Sequence, residues 1–522
     1  MQRRDLLGLI GVAASGSAMY LAMSALGHAA ESTYTGPIKL DGDPGGASVL
    51  VLGAGVAGMV TAMELRRAGY RVELLEYNDR PGGRTWTIRG GDRYTELGGA
   101  MQECGFDAGL YINPGPWRIP YHHRGLLDYC KRLGVALEPF IQVNHNAYLH
   151  SAQSFGGKPQ RYREVQADFH GTVADLLAKS VRTQRLGDAV TQEDTEILLG
   201  ALRSWGGLDR DYRYVKGYDS SERRGWDKPP GGGRNGRPEP SQPVVPSDLL
   251  RGGLWRALAV AADYDYQTTL FQPVGGMDAI ARALGREVAP VLRLRTKVMA
   301  IQQDVSGVSV QWQDTGTGSA GQSRADWCVC TIPLSVLSQI DINVSAPMQQ
   351  AISAVPYAAA VKIGLQFRRR FWEEDEAIYS GISYTDLPIS LIGYPATGYN
   401  AGGKGVLLGA YAFGPYAYEW TALDPAERVR RAVAYGAQIH PQYEAEFENG
   451  IAVGWHRVPW TLGCYGQWSE ASRKTHYQDL CALDGRIMLA GEHASYIPAW
   501  QEGAVLSALD AVTRLHARVI AG

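Results

Sequence analysis

From Ser48 to Leu52 the chain runs Ser-Val-Leu-Val-Leu, a short apolar stretch of the kind a strand buried on both faces carries. Gly53-Ala54-Gly55-Val56-Ala57-Gly58 follows at once, and from Met59 to Ala68 the apolar positions return at helical spacing. Arg71-Val72-Glu73-Leu74-Leu75-Glu76 predicts a second strand that ends in an acid. Strand, Gly-x-Gly-x-x-Gly, helix, strand and acid together make a dinucleotide-binding unit. Gly53 permits the tight turn, Gly55 lets the backbone approach a pyrophosphate, and Gly58 lets the helix pack on the strand. The helix N-terminus offers free N–H groups to phosphate, and Glu76 can accept hydrogen bonds from ribose hydroxyls. The pattern alone leaves NAD and FAD open.

Three further stretches stand out. Gly485 to Leu489 reads as a strand running into Gly491-Glu492, and Ala499-Trp500-Gln501-Glu502-Gly503-Ala504 opens a terminal helix whose N-terminus can receive another part of the cofactor. Ala358 to Phe367 is an apolar strand interrupted by Lys362. A lysine there is costly unless it has a partner or a role, and a snorkelling side chain is the plain alternative. Residues 218–246 are dense in Pro, Gly and charge, which predicts a disordered surface loop, with a processing site or an entrance flap as functional alternatives.

Arg3-Arg4-Asp5-Leu6-Leu7 precedes a moderately apolar run to about Leu26 and then Gly27-His28-Ala29-Ala30. Residues 1–30 therefore read as a twin-arginine export signal cut near Ala29 or Ala30, with a membrane anchor as the alternative. The mature protein is expected to be periplasmic or secreted, without stable membrane insertion. Lys+Arg number 51 against Asp+Glu 53, a balance that argues against a nucleic-acid partner. Six cysteines in 522 residues are no disulfide framework, and no spacing suggests a zinc site, so no metal is expected. Glycine supplies 63 of the 522 residues, about 12% against an average near 7%, which points to close backbone approaches.

Arg80-Pro81-Gly82-Gly83-Arg84 follows the acid, and Glu96-Leu97-Gly98-Gly99-Ala100 comes soon after. Gly83, Gly98 and Gly99 would let the chain pass close to the rest of the cofactor, and Arg84 offers positive charge to a pyrophosphate. With Gly53 to Gly58, Thr296-Lys297-Val298 and the stretch from Leu489 to Ala504, these motifs make the chain resemble the flavin-containing amine oxidases. Arg118 to Gly134, Val143 to His150, Val274 to Ile280 and Val361 to Glu376 are similar to the L-amino-acid oxidases within that superfamily. The resemblance runs from about residue 46 to the end and is thinnest between about 155 and 270. It implies FAD as cofactor, with Val298, Gly491, Glu492, Trp500, Gln501 and Ala504 joining the cofactor site.

The implied fold is α/β, a Rossmann-type FAD-binding domain interleaved with a mixed-sheet substrate domain and a helical insert. The expected divisions are 46–100, 275–345 and 478–522 for the FAD domain, and 101–160, 250–274 and 346–477 for the substrate domain. The insert spans 161–249. A homodimer is expected.

The resemblance also implies roles in the reaction. Lys362 matches a lysine that holds a water near flavin N5, whereas a related lysine of the monoamine oxidases is replaced by Gln339. Arg118, before Ile119-Pro120, matches the arginine that binds the substrate carboxylate, for which a guanidinium fork is well shaped. That arginine ordinarily follows the Glu-Leu-Gly motif closely, in a Gly-x-Met-Arg pattern; here Gln102 follows Met101, and Arg118 comes after an apparent insertion from Glu103 to Pro116. Tyr411 matches a tyrosine that helps bind the carboxylate. Tyr465 and Trp500 match aromatic walls beside the flavin, and Cys464 matches a cysteine that some monoamine oxidases bond covalently to it. A core aromatic, or a small buried thiol, is the bland reading of each. His122 and His123 are placed to tune amine deprotonation or simply to edge the pocket.

The expected activity is oxidation of an L-amino acid by hydride transfer to flavin, with dioxygen as acceptor, giving a 2-keto acid, ammonia and hydrogen peroxide. The rivals are an amine oxidase or dehydrogenase acting without a carboxylate, a monooxygenase giving an amide, and a non-catalytic flavoprotein.

Overall fold

The computed structural model describes residues 32–183, 185 and 191–522. The export signal read at residues 1–30 lies outside them. The first sheet grows from strand β1 (Ser48–Leu52), helix α1 (Val56–Arg67) and strand β2 (Arg71–Leu75), with β1 and β2 parallel and Val49 opposite Val72. Parallel neighbours need a crossover, and α1 supplies it, burying ten of its twelve residues against the sheet. On the far side of β1 lies Trp327–Cys330, followed by Ile487–Leu489 and Leu483–Asp484; Leu292–Arg293 closes the other edge beside β2. All four residues of Trp327–Cys330 are buried, as a central parallel strand requires. The terminal helix Gln501–Ile520 packs against α1, and their apolar faces join one large core with the sheet.

The second sheet has seven strands in the order 160–161, 148–150, 381–385, 391–394, 405–413, 360–367 and 447–454. Its pairs are antiparallel except 381–385 beside 148–150, so it is a mixed sheet. Segments of the first sheet flank it in sequence on both sides, which makes the two halves interleave. A four-stranded sheet built on Thr296–Asp304 packs against the first sheet, and a three-stranded one joins Ile119–Pro120, Leu270–Pro273 and Leu137–Phe140.

Helices α2 (Arg124–Arg132), α3 (Tyr162–Arg182), α4 (Gln192–Gly206) and α5 (Tyr218–Arg224) follow. The segment 218–246 departs from the loop read in the sequence. It contains α5 and the paired strands Trp226–Lys228 and Glu239–Pro240, and Ser220, Ser221, Arg224 and Ser241 are buried. The anchor is an ion pair of Arg224 with Asp168 of α3 at 2.9 Å; Asp168 also accepts from Tyr214 Oη at 2.7 Å and Val244 N at 2.9 Å. Among the described residues no helix is long and apolar enough to cross a membrane.

Candidate active site

A cavity of about 680 Å³ runs from the end of β1 to the face of the second sheet. Gly53, Gly55, Glu76 and Gly83 line its first part. Gly55 is the N-cap of α1 and carries no side chain to occupy the helix N-terminus. Gly58 does not line the cavity; a Cβ there would lie 1.8 Å from Gly53 O, so only glycine lets α1 sit this close to the turn. Glu76 is buried, and its Oε2 accepts from Ala54 N at 2.6 Å while Oε1 accepts from Asn78 N at 2.9 Å. Burial pushes its carboxyl above the ordinary value, and the Asn78 and Ala54 donors oppose that. Oε1 also accepts from Asn78 Nδ2 at 2.7 Å, so the lone pair left for a ribose hydroxyl is on Oε2.

Arg84, Val298, Gly491 and Glu492 line the middle. Arg84 Nη1 donates to Glu492 Oε1 at 2.8 Å and to Cys464 O at 2.7 Å, so this pair links the first dinucleotide motif to the last. Trp500 caps the terminal helix, Gln501 donates from Nε2 to Thr85 Oγ1 at 2.9 Å, and Ala504 completes that wall. An extended groove bordered by a bare helix N-terminus, a buried ribose-type acid and a buried arginine–glutamate pair fits a flavin dinucleotide.

The Glu96-Leu97-Gly98-Gly99 motif lies elsewhere than the sequence reading had it. Strand β3 (Ile88–Arg89) pairs with β6 (Tyr111–Ile112), and between them β4 (Arg93–Thr95) pairs with β5 (Met101–Glu103). The chain between β3 and β6 is thus a hairpin that carries the motif at its tip. Gly98 and Gly99 sit in its exposed turn, outside the cavity lining, which only Leu97 of the motif reaches. Glu96 is buried away from the cavity between Arg428, at 2.7 Å, and Arg457, at 3.1 Å. Gln102 also points away, donating to Ala452 O at 2.7 Å.

The chain returns through Asn113-Pro114-Gly115-Pro116-Trp117. Gly115 takes the close-approach position expected of Gly98 and Gly99: a Cβ on it would lie 1.9 Å from Arg84 O. Proline on both sides of a glycine just before Trp117-Arg118 was the one local signal for it.

Beyond Gly115 the predicted substrate residues converge. Arg118 is 5% exposed and lines the cavity, its guanidinium carbon 4.5 Å from the Tyr266 ring, 5.3 Å from Trp117 and 6.0 Å from Trp500. Lys362, 2% exposed, donates from Nζ to Gly115 O at 2.6 Å and lies 4.4 Å from the Tyr411 ring. The bulk of the cost of its charge is burial, to which Arg118 adds while Cys464 opposes, and its ammonium falls to about 7. It is not a snorkelling lysine. Tyr411 stands opposite Lys362 in the adjacent strand. Cys464 and Tyr465 line the same end, and burial pushes the Cys464 thiol up to about 11. Tyr266, Trp117 and Trp460 also line the cavity and were missed in the sequence; Tyr266 arrives from the stretch with the thinnest resemblance.

The model of the family described as "Flavin containing amine oxidoreductase" matches residues 56–516. A putative L-amino-acid oxidase, YobN, of Bacillus subtilis (strain 168) is 26% identical over 480 residues, covering 88% of this chain and 93% of that one. The L-amino-acid oxidase of Siganus canaliculatus is 27% identical over 485 residues, covering 90% of this chain and 86% of its own length. Among solved structures, cyclohexylamine oxidase from Brevibacterium oxydans IH-35A superposes with a TM-score of 0.59 at 17% identity, over 90% of this chain and 99% of that one. Wild-type putrescine oxidase bound to putrescine gives 0.57 at 18% identity, over 91% and 99%. At those identities the likeness shows a shared fold.

Proposed function

The chain belongs to the flavin-containing amine oxidoreductases, with FAD as its cofactor, and from that premise we propose that it oxidatively deaminates an L-amino acid. The products of this reading are a 2-keto acid, ammonia and hydrogen peroxide. The observation that carries it is Arg118, a buried guanidinium on the cavity wall among Trp117, Tyr266 and Trp500. A buried arginine in an aromatic surround suits a planar anion, and an α-carboxylate is the anion that separates an amino acid from a simple amine. The curated relatives named as L-amino-acid oxidases support the same reading.

Gly55 and the start of α1 would hold the pyrophosphate of FAD, Glu76 its adenosine ribose, and Arg84, Val298, Gly491 and the Trp500–Ala504 turn the remainder. FAD supplies the hydride acceptor and the route by which dioxygen takes up the electrons. Arg118, with Tyr411 beside Lys362, anchors the carboxylate and so orients the α-carbon; holding reacting groups in place can supply up to about 7–11 kcal/mol of a barrier. Trp500 and Tyr465 exclude water from the reacting end. Lys362, partly neutral at physiological pH, holds a water or accepts a proton beside Gly115. Water then hydrolyses the released imino acid to the keto acid and ammonia. The Arg3-Arg4 pattern supports export by the twin-arginine route.

The test is peroxide release by the purified flavoprotein with L-amino acids, their D-enantiomers and the decarboxylated amines. Turnover of L-amino acids alone is expected. Turnover of the amines alone would assign the protein to amine oxidation without a carboxylate.

A further inference from the structure

His122 follows strand β7 (Ile119–Pro120), and His123 is the N-cap of α2. Their rings meet edge-on with centroids 4.7 Å apart, so consecutive side chains converge. Facing them, Asp265 lies in the 3-10 turn Tyr264–Tyr266, with Oδ1 at 3.4 Å from His122 Nε2. One ligand atom from each of the three lies within 4.8 Å of the others. His122 and His123 are 2% and 1% exposed and Asp265 is 8% exposed. Among the described residues, both His122 nitrogens, His123 Nε2 and Asp265 Oδ1 are shielded from solvent and make no hydrogen bond. His122 Nε2 and Asp265 Oδ1 have only their long 3.4 Å contact with each other, and four buried atoms without a hydrogen bond in one spot are expensive to keep unless something else binds them.

We propose that His122, His123 and Asp265 form a binding site for a zinc-class divalent cation just behind the cavity wall, of the three only Asp265 reaching the lining. Two imidazoles and a carboxylate are a donor set zinc uses, and they leave a fourth position for water. Zinc–ligand bonds of about 2.0–2.2 Å put tetrahedral ligand atoms about 3.3–3.5 Å apart. The His122–Asp265 separation of 3.4 Å already has that spacing. A pair at the 4.8 Å limit must close by about 1.3–1.5 Å, within reach of an imidazole turning about its side-chain dihedrals. The positive end of α2 would disfavour a cation here, but Glu502 offsets it, its oxygens accepting from Gly125 N at 2.9 Å and Leu126 N at 2.7 Å.

A cation so held fastens the Tyr264–Tyr266 turn to the start of α2. The Tyr266 ring lies against Arg118, and the His123 ring meets Trp500 edge-on at 5.0 Å. The ion therefore braces two walls of the cavity at once. This site stands whatever the substrate proves to be.

The experiment is equilibrium dialysis of metal-stripped, FAD-loaded enzyme against zinc, with zinc and flavin both quantified. One zinc per chain is expected. Since losing even an outer-shell partner costs about 10–100-fold in metal affinity, loss of a ligand in His122→Gln or Asp265→Asn should weaken binding by at least about 100-fold. X-ray absorption at the zinc edge needs no variant and should show two imidazole ligands. Absence of stoichiometric zinc in the wild type, unchanged affinity in both variants, or an all-oxygen ligand shell would each overturn the site.

Discussion

Lys362 shows how burial alone changes what a side chain can do. In water its ammonium would stay charged well above neutrality; buried here, it loses its proton near pH 7. The neutral amine is the form able to take a proton, so kcat/KM should rise with pH through about 7. Lys362→Met should lose that limb of the profile, and an unchanged limb in the variant would assign it to another group. Cys464 illustrates the opposite sign. Burial holds its thiol up to about 11 against the pull of Arg84 and Lys362, so the nucleophilic thiolate is scarce at neutral pH. The flavin should accordingly be released into the supernatant when the protein is denatured; flavin that stays with the precipitated chain would contradict this.

At the level of elements, the β3–β6 hairpin decides which residues reach the cofactor. It carries the Glu-Leu-Gly-Gly motif outward and leaves Gly115 in the close-approach position. Gly115→Ala would press a methyl into the Arg84 carbonyl, and overpacking of that kind costs about 1–3 kcal/mol. A lower urea midpoint of the holoenzyme, with weaker flavin retention, is the expected result. Glu96 fastens the hairpin to the helix Pro425–Gly436 through Arg428 and to the turn Trp455–Arg457 through Arg457. Glu96→Ala strands two arginines, one fully buried, and should destabilise by about 3–5 kcal/mol, read by chemical unfolding. These features also mark where the sequence was readable. β1, Gly53 to Gly58, α1, β2 and Glu76 are contiguous, so local spacing specifies them. The hairpin boundary depends on Ile88 meeting Ile112, and the order in 218–246 on Arg224 meeting Asp168. Neither pairing leaves a local trace. Lys362 stood out as a charge within an apolar strand, Arg118 was found through resemblance, and Tyr266 and Asp265, from a weakly matching stretch, were not found.

For the molecule as a whole, the cavity that fits the cofactor lies where segments from both ends of the chain meet. FAD binding should therefore stabilise the entire interleaved body: at free FAD 100-fold above its dissociation constant the gain is about 2.7 kcal/mol, seen as a higher melting temperature than that of the stripped protein. The same convergence brings Arg118 and the Lys362–Tyr411 pair to one cavity, both cations against the Trp117 ring, and the account rests on that placement. The most direct test compares kcat/KM for the best L-amino acid with that for its decarboxylated amine, in wild type and in Arg118→Ala. Losing one partner of a buried charged contact costs about 2–5 kcal/mol, so the amino-acid value should fall by about 30- to 5,000-fold while the amine value holds. An equal fall for both substrates, or no fall for the amino acid, would contradict a carboxylate clamp at Arg118.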